Sequence, residues 1–146
     1  MGIIKRINYF LATGFMVGRI KYMPGTFGSL VGLGLLVLFP FLRSWPAIII
    51  TVIAGTYICQ QEENRTGIKD NQEIVIDEIA GVFITFAFMN PNNFIHYLTG
   101  FLLFRVFDIF KPGAIDYVQD YEGGPGVMLD DIAAGLVSAI IMFFIF

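Results

Sequence analysis

The chain has 146 residues, of which 56% are hydrophobic and only 14% charged, whereas soluble domains carry roughly 25% charged residues. This composition favours an integral membrane protein of one domain, and a net charge of −3 without a basic stripe excludes a typical nucleic-acid-binding surface. Cys59 is the only cysteine and His96 the only histidine, which excludes an intramolecular disulfide and a multi-histidine metal site.

Residues 1–21 are predicted to form an amphipathic helix that lies at the membrane surface. Apolar side chains fall on one face of this helix, near the spacing typical of helices: Ile3, Ile7, Phe10, Leu11 and Phe15. A cleaved signal peptide fits the sequence less well, because Gly14 and Gly18 interrupt the apolar region and no small-residue cleavage motif follows. A helix that only packs against the rest of the protein is the other alternative.

A glycine-rich turn, residues 23–29, leads into the first long apolar run. Thr26 or Ser29 can cap the helix that follows, which is the structural interpretation of the turn. Free backbone N–H groups at a helix N-terminus also attract anions, so the same turn is a candidate phosphate-binding site. It is not a Walker-type loop, because no Gly-Lys-Ser/Thr sequence follows.

Five apolar segments are predicted to be membrane-spanning helices: 27–42, 45–59, 74–89, 94–110 and 126–146. Most are shorter than the roughly 20 residues of a typical span, so a soluble helical protein with a very apolar core is the alternative. Two of the segments have almost no polar face, which a soluble bundle would show. The predicted fold class is therefore all-α, a polytopic membrane protein with about five spanning helices after the interfacial helix. Residues 1–146 form a single domain, with the bundle in 22–146.

Basic residues predict the orientation of these segments. If the N-terminal helix is cytoplasmic and each segment crosses once, seven basic residues lie on the cytoplasmic side: Lys5, Arg6, Arg19, Lys21, Arg65, Lys69 and Lys111. Arg105 lies just inside that face, and Arg43 alone lies on the opposite side, as the positive-inside rule requires. The same topology predicts that the loop around Tyr117 is cytoplasmic.

Three apolar runs contain charged residues: Asp77, Glu78, Arg105, Asp108, Lys111, Asp130 and Asp131. The predicted topology places all of them at the cytoplasmic ends of their spans, beside the glycine-rich turn, so we expect one shared site. Five carboxylates against two cations leave an excess of negative charge that is costly in an apolar medium. A divalent cation that prefers oxygen ligands, Mg²⁺ or Ca²⁺, would offset this cost.

Each charged residue also has a structural interpretation. Arg105 and Asp108 could form an ion pair that only stabilises the fold, and Lys111 could extend to the membrane interface. The carboxylates near the helix N-termini could interact with the helix dipoles. These interpretations leave the excess of negative charge without a partner, which favours a metal site.

Four motifs together resemble the phosphatidylglycerophosphatase A family of bacterial membrane enzymes: residues 24–30 (PGTFGSL), 70–78 (DNQEIVIDE), 104–112 (FRVFDIFKP) and 123–131 (GGPGVMLDD). The resemblance implies a Mg²⁺-dependent hydrolase that converts phosphatidylglycerophosphate to phosphatidylglycerol and phosphate in phospholipid biosynthesis. It also implies a location in the bacterial inner membrane, with the active site facing the cytoplasm and the lipid substrate and bilayer as partners. Residues 69–73 lack the histidines that some members carry, so no histidine is assigned a role.

The residues and the resemblance together suggest roles within the motifs. Candidate catalytic residues are Asp77, Arg105, Asp108 and Lys111. Candidate phosphate-binding residues are Gly25, Thr26, Gly28 and Ser29, together with Arg105 and Lys111. Candidate Mg²⁺ ligands are Asp77, Glu78, Asp108, Asp130 and Asp131, and Asp70 is a further candidate. Arg105, Asp108 and Lys111 follow one another at intervals of three residues, which brings two cations beside a metal ligand on one helix face.

Other functions remain as alternatives. Carboxylates within a membrane also mark ion paths, so a small cation or proton transporter is one alternative. The two cations and the glycine-rich turn suit an anion and would hinder a cation path. A phosphatase acting on a different lipid phosphate is a second alternative. Transfer of a phosphate group onto a lipid alcohol is disfavoured, because the D-G-x-x-A-R type of signature is absent. Both attack by water and attack by an aspartate are compatible with the motifs.

Overall fold

A computed structural model describes residues 1–113 and 122–146 of the chain. The described part is helical, with six α-helices: α1 (Ile3–Ala12), α2 (Pro24–Leu38), α3 (Trp45–Thr66), α4 (Ile76–Thr85), α5 (Phe94–Phe110) and α6 (Gly123–Ile145). Two short 3-10 turns, Val17–Arg19 and Pro40–Arg43, connect the first three of them. The all-α prediction is confirmed for these residues. The predicted cytoplasmic loop around Tyr117 lies outside them.

Helix α4 is the centre of the fold. It packs against α2, α3, α5 and α6, and every residue of it except Glu78 is buried. Glycines allow this close approach, because a Cβ on Gly135 of α6 would lie 2.6 Å from the carbonyl oxygen of Gly81 of α4. Gly32 of α2 likewise faces α4, where a Cβ would lie 3.1 Å from the Cα of Ile79. The backbones therefore meet with no side chain between them.

The helix lengths differ from the predicted spans. Among the described helices, α6 alone is long and apolar enough to cross a membrane, with a mean hydropathy of 2.0 over its most apolar window. Helix α2 is apolar but has only 15 residues. Helix α4 has 10 residues and is about 15 Å long, half the thickness of a bilayer core of roughly 30 Å. The prediction of a single helix over residues 74–89 was therefore wrong, because α4 ends at Thr85.

The N-terminal helix is shorter than predicted. Helix α1 ends at Ala12, and the prediction of one helix over residues 1–21 was wrong at its C-terminal end. The reason is backbone conformation, because Gly14, Phe15 and Met16 adopt left-handed φ angles of 54°, 61° and 73°, which no α-helix accommodates. The amphipathic character of α1 is retained, since Ile3 and Ile7 on its apolar face are exposed.

The N-terminal segment is attached to the chain that leads into α4. The backbone N–H of Val75 donates a hydrogen bond to the carbonyl of Ala12, at 2.8 Å. The hydroxyl of Tyr9 donates a hydrogen bond to the carboxylate of Glu73, at 2.7 Å. Gly18 lies against the carbonyl of Glu73 so closely that a Cβ would overlap it. Hydrogen bonds and packing from the N-terminal segment therefore hold residues 73–75 in place.

Candidate active site

One cavity of about 240 Å³ lies where the N-termini of α2, α4 and α6 meet the C-terminal end of α5. We call it the acidic cavity, because six carboxylates and one lysine of the described residues line it: Asp70, Asp77, Glu78, Asp108, Asp130, Asp131 and Lys111. Each of the four sequence motifs contributes to its wall. Helix α4 presents Asp77 and Glu78 from its first turn, while α6 presents Asp130 and Asp131 two turns from its start.

The carboxylates fall into two groups that share Asp131. The first contains Asp77 and Glu78, and the second contains Asp108 and Asp130. Within each group, one oxygen from each residue lies within 4.8 Å of the others. Asp77, Asp130 and Asp131 are buried, so their negative charges repel one another with little water to screen them. This arrangement needs positive charge from a source close to the oxygens.

Three of these residues carry buried oxygens that lack a hydrogen-bond partner. Asp77 Oδ1, Glu78 Oε2 and Asp131 Oδ2 find no donor within residues 1–113 and 122–146. Buried polar atoms in native proteins are almost always satisfied, because an unpaired buried charge is strongly destabilising. The three residues form one group of potential ligands, and carboxylate oxygens are hard donors of the kind that Mg²⁺ prefers. The residues present therefore fit a hard divalent cation.

The two cations of the site are each paired with a carboxylate. Arg105 donates to the carboxylate of Asp108 and, at 3.4 Å, to the hydroxyl of Ser29. Its Nε is buried and has no partner in the described part of the chain, so one donor of the guanidinium is free. Lys111 donates to Asp130. The structural ion pairs are thus present, yet they use only two of the carboxylates around the cavity.

Lys111 stays positively charged in this setting. It follows the last residue of α5 with a left-handed φ of 43°, which turns the chain at the edge of the cavity. Burial acts to lower the pKa of the Lys111 amine, but the hydrogen bond and charge of Asp130 outweigh burial and raise it above its ordinary value. The amine therefore carries its proton throughout the neutral range.

The glycine-rich turn contributes less to the cavity than its sequence suggested. Gly25 lines the cavity, and the carboxylate of Glu78 lies so close to it that a Cβ would overlap. Ser29 is buried, donates its hydroxyl to the carbonyl of Gly25 at 2.8 Å and accepts from Arg105. Thr26 and Gly28 do not line the cavity. The Thr26 N–H bonds to the carbonyl of Met23, and Gly28 packs against Val75, where a Cβ would lie 2.5 Å from the Val75 Cβ.

Two polar residues of the cavity wall are not among the residues that the sequence motifs single out. Asn71 and Gln72 line the cavity directly after Asp70. The Asn71 side chain accepts the N–H of Glu73, and its carbonyl accepts the N–H of Ile74, which makes a tight turn. The one indication in the sequence was their position inside motif 70–78, between the candidate ligands Asp70 and Asp77.

Comparisons with known proteins agree with the motifs. The model of the family described as phosphatidylglycerophosphatase A matches residues 10–146. A protein of that name from Escherichia coli is 36% identical over 142 residues, which cover 94% of this chain and 82% of that protein. One of the same name from Haemophilus influenzae is 39% identical over 140 residues, covering 92% and 86%.

A relative with a different name also matches. A Bacteroides thetaiotaomicron protein, provisionally named phosphatidylinositol-3-phosphatase, is 33% identical over 142 residues, which cover 90% of this chain and 89% of that protein. No solved structure matches the chain.

Proposed function

The chain belongs to the phosphatidylglycerophosphatase A family, and from this premise we propose that it removes the terminal phosphate of phosphatidylglycerophosphate. The products are phosphatidylglycerol, used in phospholipid synthesis, and inorganic phosphate. The observation that carries the proposal is that all four motifs of this family line one cavity of carboxylates with two cations beside it. A phosphomonoester with a bound divalent cation matches that combination of charges.

We propose Mg²⁺ as the cofactor. Its candidate ligands are the two groups of carboxylates: Asp77, Glu78, Asp108, Asp130 and Asp131. The support is the set of hard oxygen donors and the three buried oxygens without a donor. Asp70 lines the same cavity and is a further candidate. When bound, the ion would neutralise charge on the phosphate and polarise its phosphorus–oxygen bonds.

The side chains of the cavity suggest how the substrate is held and attacked. Arg105 is bonded to Asp108 of the cavity wall, and its buried Nε has no partner among the described residues, so we assign it to a phosphate oxygen. Lys111 supplies a second positive charge at the edge of the cavity. In hydrolysis a water oxygen bonds to phosphorus, the bond to the glycerol oxygen breaks, and that oxygen takes a proton. Asp77, Glu78 and Asp131 form no ion pair within the described residues. Of these three, Asp77 is the candidate catalytic residue of the sequence motifs, and we assign it the role of accepting the proton of the attacking water. Asp108, paired with Arg105, holds the guanidinium in place.

The exposed surface supports a membrane setting. Large apolar side chains cover the outside of the helices, including Ile50 and Ile53 of α3, Leu102 of α5 and Phe143 of α6. Soluble proteins rarely expose such continuous apolar surface. We propose a multi-pass protein of the cytoplasmic membrane, with the acidic cavity at its cytoplasmic side, where the basic residues concentrate. The acyl chains of a lipid can then stay in the bilayer while the phosphate reaches the carboxylates.

A phosphate-release assay on the purified protein tests the proposal. Phosphatidylglycerophosphate should release phosphate in the presence of Mg²⁺, and excess EDTA should stop the reaction. The panel should include a phosphatidylinositol 3-phosphate, because one relative bears the name of a phosphatase for that lipid. Faster release from this lipid than from phosphatidylglycerophosphate would reassign the substrate. Cation flux in liposomes without any phosphate release would favour the transporter alternative.

A further inference from the structure

A second cavity adjoins the acidic cavity, and most of its lining residues lie outside the four motifs. It has a volume of about 260 Å³ and lies between the 3-10 turn after α1 and residues 72–73. Pro24 and Gln72 line both cavities, so the two share a wall. We call it the basic cavity, because Arg19 and Lys21 are part of its lining.

The charges of the two cavities are opposite. Neither Arg19 nor Lys21 forms an ion pair with a carboxylate of residues 1–113 or 122–146. Among the described residues that line the basic cavity, Glu73 is the only carboxylate, and it accepts a hydrogen bond from the Tyr9 hydroxyl at 2.7 Å. The basic cavity therefore attracts an anion without a metal, whereas six carboxylates line its neighbour. Such a pair of cavities suits a ligand with two anionic groups.

The position of the two cations is defined by the backbone around them. The N–H of Gly18 donates to the carbonyl of Thr13 at 2.8 Å, and the N–H of Ile20 donates to Val17 at 3.0 Å. Gly18 also lies against the carbonyl of Glu73, which joins this turn to the wall of both cavities. The Lys21 amine lies 5.7 Å from the ring centre of Tyr22, at the distance of a cation–π contact.

The surroundings of the basic cavity are apolar on their outer side. Ile20, Tyr22 and Met23 are exposed next to Arg19 and Lys21. A surface of this kind, with cations beside exposed apolar side chains, is typical of contact with an anionic lipid headgroup and its chains.

We propose that the basic cavity binds the phosphodiester of the substrate lipid, with Arg19 and Lys21 as its ligands, while the terminal phosphomonoester occupies the acidic cavity. The proposal rests on the proposed function, because phosphatidylglycerophosphate carries both groups, separated by one glycerol. It makes Arg19 and Lys21 residues that determine specificity. A lipid whose phosphomonoester is attached directly to diacylglycerol has no group for the basic cavity.

Kinetics on two lipids test this assignment. Arg19→Ala/Lys21→Ala should raise KM for phosphatidylglycerophosphate about tenfold, with little change in kcat, since the lost contacts are charge-assisted and distant from the reacting phosphorus. Hydrolysis of phosphatidic acid, which lacks the phosphodiester, should change by less than twofold. Lys5→Ala/Arg6→Ala is the matched control, because it removes the same charge from the exposed face of α1, outside both cavities. It should leave the ratio of the two activities unchanged.

An equal loss on both lipids, or no loss on either, would overturn the assignment.

A binding measurement separates the phosphodiester assignment from the proposed function. Short-chain phosphatidylglycerol keeps the phosphodiester and lacks the phosphomonoester, so in EDTA it should bind the wild type and bind the double variant about tenfold more weakly. If the wild type does not hydrolyse phosphatidylglycerophosphate but shows this difference, the proposed function fails and the phosphodiester site stands. Equal binding by both proteins would remove the site.

Discussion

Replacing Arg105 by lysine is the sharpest test of the acidic cavity. The guanidinium contacts Asp108 and Ser29 through Nη1, and its Nε has no partner within residues 1–113 and 122–146, so it can hold a carboxylate and a phosphate oxygen at once. A lysine amine at this position keeps the charge but not the planar fork, and loses one of these two contacts. A charge-assisted hydrogen bond contributes about 1.5–3 kcal/mol, which corresponds to a loss of roughly ten- to hundredfold in kcat.

The assay measures phosphate release from phosphatidylglycerophosphate in detergent micelles, first at saturating Mg²⁺ and then over a Mg²⁺ titration. We expect kcat to fall in Arg105→Lys while the Mg²⁺ concentration for half-maximal rate stays constant, because Arg105 is not a metal ligand. Arg65→Lys is the matched control. Arg65 also pairs with a carboxylate three residues away, Glu62 at 2.6 Å, but Glu62 lines neither cavity, whereas Asp108, the partner of Arg105, lines the acidic cavity.

The refuting result is an Arg105→Lys protein with a kcat within twofold of the wild type. It would show that Arg105 only pairs with Asp108, and the carboxylates alone would remain as the candidate site. The thermal unfolding midpoints of both lysine variants, measured in the same detergent, separate a loss of chemistry from a loss of fold. A fall in the midpoint of Arg105→Lys alone, matched by its loss of rate, would also assign Arg105 to structure.

Three further changes test other parts of the structure. Asp131→Asn removes the charge common to both carboxylate groups, so turnover should cease and calorimetry should show weaker Mg²⁺ binding; unchanged affinity would exclude Asp131 as a ligand. Gly135→Ala places a Cβ 2.6 Å from a carbonyl oxygen of α4 and should destabilise the protein by about 1–3 kcal/mol, whereas Gly34→Ala, where nothing lies within 4 Å, should not. Tyr9→Phe removes the hydrogen bond to Glu73 and should lower the stability by about 1 kcal/mol. Burial and Glu73 raise the pKa of Tyr9, so this difference should hold below pH 10 and shrink only as pH rises beyond it; a difference that shrinks near neutral pH would contradict the assignment.

The common location of the four motifs could be predicted because charge inside an apolar run is rare and its cost is high. Asp77, Asp108 and Asp130 stand out for that reason. Because successive helices run in alternating directions, the helix ends that carry these residues come together. The helical secondary structure could be predicted as well, from long apolar runs without a polar face. These inferences depend on local composition, which a single sequence displays fully.

Backbone conformation and close packing were harder to predict. The residue types of Phe15 and Met16 do not indicate a left-handed conformation, so the sequence did not predict that α1 ends before them. Gly28 could serve a phosphate or a neighbouring side chain equally well in the sequence, and only its contact with Val75 decides between them. Asn71 and Gln72 line the cavity because they lie in a turn, and the residue pattern does not predict the hydrogen bonds of that turn. The Gly28 contact joins distant parts of the chain, and the other features are backbone conformations that residue types alone do not determine.

The enclosure of α4 by four other helices decides how a saturation-mutagenesis map of this protein should be interpreted. Nearly every substitution in Ile76–Thr85 will disturb packing, so depletion of variants at Asp77 will look the same whether it reflects chemistry or misfolding. The C-terminal turn of α5 behaves differently, because Ile109 and Phe110 are exposed and should accept many replacements. Intolerance at Asp108, next to such permissive neighbours, would therefore point to chemistry.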